Sequence, residues 1–273
     1  MKKDIKLIVF DVDGTLVNDN KEILDETVEV VEALKNKGIK IILNSGRTFN
    51  GMWRMRQKLG LMAYDDYSIC GTGAYIRRNA DGKALLANPL DEDDYNKIVA
   101  MVDGFDVQVA VHTMNILYLN EEEPNEAFIL DQKQVQMPWM KFEKFSDIEE
   151  SVSRIGIEGD PEVLDQISDK YMDKLTEDYM VMRNESYLIE ILNKNSGKEK
   201  SLASLCDILG VAMDDIMYFG DGLNDAKSID LVGVGIAMDN AHPAAKDAAD
   251  YVIGSNEEPA LAEFLRRYFD IDD

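Results

Sequence analysis

Two short apolar runs near the N-terminus, with a helical pattern between them, place the strongest constraint on the fold. The first run, Leu7–Phe10, is typical of a strand covered on both faces. From about Asp25 to Lys37, apolar residues recur at helical spacing, and Gly38 follows where helices often end. The second run, Ile39–Leu43, resumes the strand pattern. Strand, helix and strand at this spacing predict a βαβ unit and therefore a parallel sheet.

The same alternation of strands and helices returns in the last third of the chain, from about Lys200 to Tyr268. Between these two parts, apolar and polar residues alternate, as at Val107, Val109 and Val111, which predicts a sheet with one solvated face. We therefore predict an α/β fold with a doubly wound, Rossmann-like parallel core sheet. Residues 1–85 and 186–273 would form this core, and residues 86–185 an inserted α+β domain.

Charge and composition restrict the partners of the chain. The formal net charge of −24 argues against nucleic acid or an acidic membrane, because both are polyanions. Two cysteines offer no disulfide framework, and two histidines disfavour histidine-based metal sites and catalytic triads. No apolar stretch is long enough for a signal peptide or a membrane span. We expect a soluble, cytoplasmic protein.

Polar residues follow three of the predicted core strands. Asp11 and Asp13 come after the first strand, Ser45 and Gly46 after the second, and Gly220–Asp225 after a late one. A cation, Lys198, stands near the start of a helix just after the insertion. Ligands bind beyond the carboxyl ends of the strands in parallel α/β sheets. These residues are therefore expected at one edge of the core sheet.

The residue types at this edge favour a hard cation and a phosphate. Carboxylates clustered without histidine or cysteine suit Mg²⁺, which keeps positions for water and phosphate oxygens. Ser45, Lys198 and backbone N–H groups would hold the phosphate. Asp11, directly at a strand end, is the candidate nucleophile. Asp13 would protonate the leaving alcohol and then deprotonate water.

Each of these features also has an ordinary structural explanation when it is taken alone. A pair of aspartates separated by one residue is common, and Ser45 could simply cap a helix. Lys198 could be a solvated surface residue, and GDGLND (Gly220–Asp225) could be only a turn. The chemical interpretation rests on their combination, in this order and each after a strand or at a helix start.

The combination resembles the four motifs of the haloacid dehalogenase superfamily of phosphatases. The matching residues are DVDGTL (Asp11–Leu16), SGR (Ser45–Arg47), Lys198 and GDGLND (Gly220–Asp225). The large insertion between the second and third motifs resembles that of the Cof-type members, which carry an α/β cap. The resemblance implies a Mg²⁺-dependent phosphatase acting on a small phosphorylated metabolite, either a sugar phosphate or a phosphorylated cofactor. It also implies an aspartyl-phosphate intermediate. We expect a monomer or a homodimer, and the sequence leaves the choice between them open.

The resemblance assigns roles by position. Asp11 would be the nucleophile and Asp13 the general acid/base. The residues expected to bind phosphate or substrate are Ser45, Gly46, Lys198 and Asn224. The residues expected at the metal are Asp11, Asp13 through its carbonyl, Asp221, and Asp225 in support. Asn240 matches the family's asparagine after a late strand.

The sequence departs from the family pattern in three places, of which the last two concern the leaving group more than the phosphoryl chemistry. Glu199 follows Lys198 where glycine is usual, so Lys200 is an alternative phosphate lysine. Asp239 stands where glycine is usual, and Thr72 replaces an asparagine. Substrate identity therefore stays open.

Two other functions use the same residues. A phosphosugar mutase needs the same aspartyl-phosphate and returns the phosphoryl group to sugar. A phospho-accepting signalling module would use an acidic Mg²⁺ pocket for regulation, although the presence of Asp13 and the large insertion argue against it. Release of inorganic phosphate would favour the phosphatase over the mutase.

Overall fold

The computed structural model describes residues 3–271. These residues form two compact units. The first contains residues up to 46, 52–85 and from 197 onward, and the second contains residues 47–51 and 86–196.

The strands, in chain order, are β1 (Leu7–Phe10), β2 (Lys40–Asn44), β3 (Tyr67–Cys70), β4 (Tyr75–Arg78), β5 (Ala84–Ala87), β6 (Val107–His112), β7 (Leu117–Leu119), β8 (Trp139–Lys141), β9 (Arg154–Gly159), β10 (Tyr179–Glu185), β11 (Leu188–Asn193), β12 (Ile216–Gly220), β13 (Val234–Met238) and β14 (Tyr251–Ile253). The α-helices are α1 (Asp25–Asn36), α2 (Trp53–Lys58), α3 (Glu92–Val102), α4 (Glu126–Val135), α5 (Pro161–Asp178), α6 (Lys198–Leu209), α7 (Ala226–Leu231), α8 (Pro243–Ala248) and α9 (Ala260–Phe269).

The first unit is built on a mainly parallel sheet with the strand order β14-β13-β12-β1-β2-β3-β4-β5. Strands β14 to β3 in this order pair in parallel, while β3 and β4 are antiparallel. All four residues of β1 are fully buried, as an apolar strand between two neighbours requires. The predicted α/β fold with a parallel core sheet is confirmed.

Helix α1 follows the apolar spacing that predicted it. It buries Val30, Val31 and Leu34, and its apolar positions therefore lie on one face. The chain leaves the helix through Gly38, which has a φ of +85°. β2 then begins at Lys40, next to β1 in the sheet.

The second unit contains a six-stranded sheet with the order β10-β11-β9-β6-β7-β8. Neighbouring strands are antiparallel except β7 and β8, which pair in parallel. Val109, Val111, Ile155 and Ile157 lie in one apolar cluster with residues of α3 and α5. The predicted alternation of apolar and polar residues therefore gives one buried face, as expected.

The opposite face of this sheet is not simply solvated, and that part of the prediction is wrong. Helix α4, which the sequence pattern did not indicate, packs Phe128 into a cluster with Ala110, Leu117 and Leu119. The spacing of apolar residues in α4 does not mark one buried face, because Ile129 and other apolar residues on the helix are exposed. Part of the polar face is consequently buried beneath α4.

The second unit extends further along the chain than the predicted boundary at residue 185. β11 lies beyond that boundary, and it pairs with both β9 and β10. Hydrogen bonding to these two strands places it in the second unit, which continues to residue 196. Among residues 3–271, every helix is too short or too polar to cross a bilayer.

Candidate active site

The predicted site residues follow strands that are neighbours in the first sheet. β1 lies between β2 and β12 and runs parallel to both. Asp11 extends this pairing, because its N–H donates to the Phe219 carbonyl at 2.9 Å. Ser45 follows β2 and Asp221 follows β12, so the three residues lie at the same carboxyl edge of the sheet.

Lys198 lies at this edge, at the first position of α6. Its Nζ is 2.6 Å from Asp11 Oδ1 and 2.8 Å from Asp225 Oδ1, and its side chain is 2% exposed. Burial alone would lower the pKa of Lys198, but the charges and hydrogen bonds of the two carboxylates outweigh burial and raise the pKa above its usual value. Lys198 is therefore a fixed, buried cation.

The alternative lysine does not share this position. Lys200 is exposed, whereas Lys198 is buried against the acids. Glu199, the residue that departs from the family pattern, has its carboxylate 3.9 Å from Lys227 Nζ. Of the two lysines, Lys198 is therefore the one that contacts the acids.

Three carboxylates, those of Asp11, Asp221 and Asp225, form a compact acid group at the site. One oxygen from each of Asp11, Asp221 and Asp225 can be chosen so that all three lie within 4.8 Å of one another. Asp221 Oδ1 accepts a hydrogen bond from Thr15 Oγ1 at 2.7 Å. The predicted acids from two distant parts of the sequence are thus brought together.

Asp225 is held by several donors. Its Oδ1 accepts from Lys198 Nζ and from Tyr218 OH, the latter at 2.7 Å. Its Oδ2 accepts from the N–H of Gly222 at 2.9 Å. This carboxylate is therefore suited to supporting the loop and the lysine around a ligand.

The acid group carries more negative charge than its protein partners neutralise. Burial is the largest cause that raises the pKa of Asp11 well above its usual value, and the charges of Asp225 and Asp221 add to it against the opposing Lys198. Burial also raises the pKa of Asp221, with Asp225 contributing and Thr15 opposing. A cation bound among these carboxylates would relieve this repulsion.

The loop after β1 approaches Asp221 closely. Gly14 has a φ of +79°, and a Cβ on this residue would lie 2.4 Å from Asp221 Oδ2. Asn240 Nδ2 donates to the Gly14 carbonyl at 2.8 Å. The N–H of His242 donates to the Asp221 carbonyl at 2.7 Å, so both loops are fixed by the segment after β13.

Asp13 lies on the loop after β1, and Ser45 follows β2 directly. Asp13 Oδ1 pairs with Lys21 Nζ at 2.8 Å, and its side chain is 42% exposed. Ser45 is buried, and its N–H donates to the Ile69 carbonyl at 3.0 Å.

Gly46 lies beside Thr72, and Asn224 lies over its own loop. A Cβ on Gly46 would lie 3.2 Å from Thr72 Oγ1. A Cβ on Gly222 would lie 2.4 Å from Asn224 Oδ1, so the amide of Asn224 folds back over its own loop. Their predicted contacts with substrate stay predictions.

A family profile described as "haloacid dehalogenase-like hydrolase" matches residues 8–265. The chain belongs to this family. The resemblance drawn from the four motifs is therefore confirmed, and so is the prediction of a hydrolase of this type. The match spans both units of the structure.

Relatives of this haloacid dehalogenase-like hydrolase match it over nearly the whole chain. The Bacillus subtilis (strain 168) protein named "Putative phosphatase YxeH" is 28% identical, covering 95% of this chain and 97% of its own. The 5-amino-6-(5-phospho-D-ribitylamino)uracil phosphatase YcsE of the same organism is 27% identical, covering 97% and 96%. The crystal structure of a haloacid dehalogenase-like hydrolase from Bacteroides thetaiotaomicron has a TM-score of 0.84 at 26% identity, covering 96% and 99%.

Two residues of this hydrolase that touch the acids were missed by sequence reasoning. Thr15 belongs to the first motif, DVDGTL (Asp11–Leu16), but its position in the sequence indicated no role. Tyr218 stands inside the apolar run of β12 and is fully buried. A tyrosine inside an apolar strand could have indicated a buried hydroxyl that needs a hydrogen-bond partner. In the structure that partner is Asp225.

Proposed function

We propose that the protein is a Mg²⁺-dependent phosphatase that hydrolyses a small phosphorylated metabolite through an aspartyl-phosphate on Asp11. One observation carries the proposal. Asp11, Asp221 and Asp225 form a compact carboxylate group with a buried lysine, at the carboxyl edge of a parallel sheet. Family membership supports hydrolysis, and the phosphatase names of the relatives support a phosphoric monoester as substrate.

The donor set suits Mg²⁺. All the side-chain atoms that the acid group offers as metal ligands are carboxylate oxygens. Mg²⁺ prefers one or two carboxylates, with water and phosphate at its other positions. Because Asp225 already accepts bonds from Lys198 and Tyr218, Asp11 and Asp221 are the carboxylates that would hold the ion. The Asp13 carbonyl is proposed as a further ligand. The ion would offset repulsion between the anionic nucleophile and the phosphate.

In the proposed reaction, Asp11 and Asp13 act in two successive steps. An Asp11 carboxylate oxygen bonds to phosphorus while the bond from phosphorus to the leaving oxygen breaks, and Asp13 donates a proton to that oxygen. Water then attacks the phosphorus of the aspartyl-phosphate, and Asp13 accepts a proton from it. Inorganic phosphate leaves and the Asp11 carboxylate is regenerated. Lys198 favours the ionised form of Asp11 through its contact at 2.6 Å.

A small metabolite is the proposed substrate class. YcsE, which matches this chain over 97% of its length, is named for a phosphate carried on a ribityl chain attached to an aminouracil. A phosphorylated polyol or sugar chain is therefore a suitable first probe. We propose both sugar phosphates and phosphorylated cofactors or their precursors as the panel to test.

The test is release of inorganic phosphate from this panel, measured with Mg²⁺ and again with a chelator. The parent protein should release phosphate in many turnovers and should stop when the divalent ion is removed. Asp11→Asn should lower turnover by at least about 10³-fold, because the nucleophile is lost. The variant should remain folded because the side chain keeps its shape and Lys198 keeps Asp225 as a partner.

The control is Asp81→Asn, which removes an exposed partner of Arg78 in the same unit and should leave turnover unchanged. A well-folded Asp11→Asn protein with parental turnover would refute the nucleophile assignment. Isomerisation of a sugar phosphate without phosphate release would indicate the mutase. A long-lived phosphoprotein without multiple turnovers would indicate the signalling module.

A further inference from the structure

A second group of titratable side chains lies buried in the second unit. His112 ends β6, Glu158 lies on β9, and Asp131 lies on the buried side of α4. His112 Nε2 is 2.9 Å from Asp131 Oδ2 and 3.8 Å from Glu158 Oε1. All three side chains are at most 5% exposed. None of them belongs to the candidate active site.

Glu158 lacks the hydrogen bonds that a buried carboxylate requires. It is fully buried, and neither of its side-chain oxygens accepts a hydrogen bond. Gly156 leaves space for the carboxylate, since a Cβ there would lie 3.0 Å from Glu158 Oε1. The fold thus accommodates a costly group that its neighbours do not satisfy.

The surrounding charges leave an excess of negative charge. Arg154 Nη2 donates to Asp131 Oδ2 at 2.7 Å, and Arg154 Nη1 donates to the Glu190 carboxylate. Asp131, Glu158 and Glu190 together have three carboxylates against one guanidinium. With a neutral imidazole, two negative charges are therefore uncompensated. A single divalent cation would cancel them.

The orientation of His112 leaves its ring edge directed at the carboxylates. Arg154 Nη2 lies 2.9 Å from both ring nitrogens, which places this atom out of the plane of the ring. Nε2 also lies near the carboxylates of Asp131 and Glu158. A neutral imidazole with its proton on Nδ1 would present an Nε2 lone pair to a cation between these two residues.

We propose that His112, Asp131 and Glu158 bind a transition-metal dication of the Zn²⁺ class. Bonds of about 2.0–2.1 Å in a tetrahedral site separate ligand atoms by about 3.3 Å. The two separations from His112 Nε2, 2.9 and 3.8 Å, lie on either side of this value. One imidazole with two carboxylates suits Zn²⁺ better than Mg²⁺, which prefers an all-oxygen set. The ion would join β6, β9 and α4 within the second unit.

The competing explanation is that protons alone neutralise the group. An imidazolium at His112 and a protonated Glu158 would also remove two negative charges. This explanation predicts no affinity for Zn²⁺ and His112 resonances that the metal leaves unchanged. The two explanations differ in a direct measurement on the imidazole ring.

The chain contains only two histidines, so their ring nitrogens can be followed individually by long-range ¹H–¹⁵N NMR. The full chain carrying Asp221→Asn, which removes a carboxylate of the candidate active site, is stripped of metal and titrated with Zn²⁺ alone. One equivalent should shift the Nε2 resonance of His112. His242, whose Nδ1 accepts from the Ala244 N–H, should stay unchanged at that ratio. Excess Mg²⁺ should move neither signal.

Two variants separate ligation from folding. Glu158→Gln keeps the shape of the side chain and should weaken Zn²⁺ binding at least about 100-fold, with loss of any Zn²⁺-dependent increase in Tm. Glu126→Gln, at an exposed position of α4, should bind Zn²⁺ like the parent.

The proposal is overturned if saturating Zn²⁺ leaves the His112 resonances unchanged. It is also overturned if Glu158→Gln binds Zn²⁺ as tightly as the parent. If the variant does not fold, the titration of the chain carrying only Asp221→Asn decides the question by itself.

Discussion

Buried charge at the candidate active site is held in place by a few individual atoms. Lys198 Nζ contacts two carboxylates, and the shared carboxylate of Asp225 also accepts from Tyr218 OH. Each of these groups is at most 5% exposed, so water cannot replace a missing partner. Removing one donor therefore leaves a charge partly unsatisfied, which is more costly than losing an exposed hydrogen bond.

Tyr218→Phe tests this dependence at one atom. Losing the hydroxyl should lower the free energy of unfolding by about 1–2 kcal/mol, because Asp225 Oδ1 then keeps only Lys198 as a donor. Under the proposed function, phosphate release should also fall several-fold, since Asp225 and Lys198 lose part of their fixed geometry. Urea-induced unfolding and a steady-state phosphate assay measure the two effects.

Tyr64→Phe is the matched control for this substitution. The Tyr64 side chain is 70% exposed, and its ring would still face the Arg78 guanidinium. Its free energy of unfolding should change by less than about 0.5 kcal/mol. A Tyr218→Phe protein as stable as the parent would show that Asp225 does not need the hydroxyl.

At the scale of elements, the turn between β3 and β4 links the two segments that carry Ser45 and Lys198. The N–H of Thr72 donates to the Ser45 carbonyl at 3.2 Å, and the N–H of Gly197 donates to the Thr72 carbonyl at 3.0 Å. Ser201 Oγ of α6 donates to the Gly73 carbonyl at 2.7 Å. The turn therefore positions the start of α6 relative to the end of β2 through backbone groups.

Gly73→Ala should disturb this link strongly. Gly73 has a φ of +82°, and a Cβ there would lie 2.4 Å from the Gly197 carbonyl oxygen. We expect a loss of about 2–4 kcal/mol in unfolding free energy, because backbone must move in addition to the cost of a positive φ. Under the proposed function, turnover should fall as well, since Gly197 directly precedes Lys198.

Gly38→Ala separates these two causes. Gly38 has a φ of +85°, and a Cβ there would meet no atom within 4 Å. Only the cost of the positive φ remains, which is about 1–2 kcal/mol. Equal losses from the two substitutions, measured by urea unfolding, would show that the contact with Gly197 is unimportant.

The elements that repeat a local pattern could be predicted from the sequence, and those that depend on tertiary packing could not. β1 and α1 were found because burial on both faces and helical spacing are local properties. α4 was missed because part of its apolar surface is exposed. The end of the second unit was placed before β11 because strand pairing, which keeps β11 in that unit, is not visible in the sequence.

The same distinction applies within the candidate site. Asp11 and Asp221 could be located because each follows a strand directly. Lys198 was the predicted lysine and Lys200 the alternative, but the difference in burial between them is visible only in the structure. The hydrogen bond from Tyr218 to Asp225 joins a strand to the loop beyond it and likewise appears only in three dimensions.

At the scale of the whole molecule, acidic residues outnumber basic ones by 53 to 29. Many ion pairs are exposed, such as Lys58 with Asp25 and Lys40 with Asp65, and pairs of this kind stabilise little. The excess negative charge therefore repels itself in the folded protein more than in the expanded unfolded chain. Dissolved salt should weaken that repulsion.

Raising NaCl from about 0.1 M to about 1 M at pH 7.5 shortens the screening length from about 10 Å to about 3 Å. The apparent unfolding temperature should therefore rise, by about 2–4 °C for each kcal/mol of repulsion removed. Near the sequence pI of about 4.4 the net charge approaches zero, and most of this gain should disappear. Scanning calorimetry at both pH values, with a chelator present, measures the difference. Equal gains at the two pH values would instead indicate a general effect of salt on apolar burial, and the net charge would then have no measurable effect on stability.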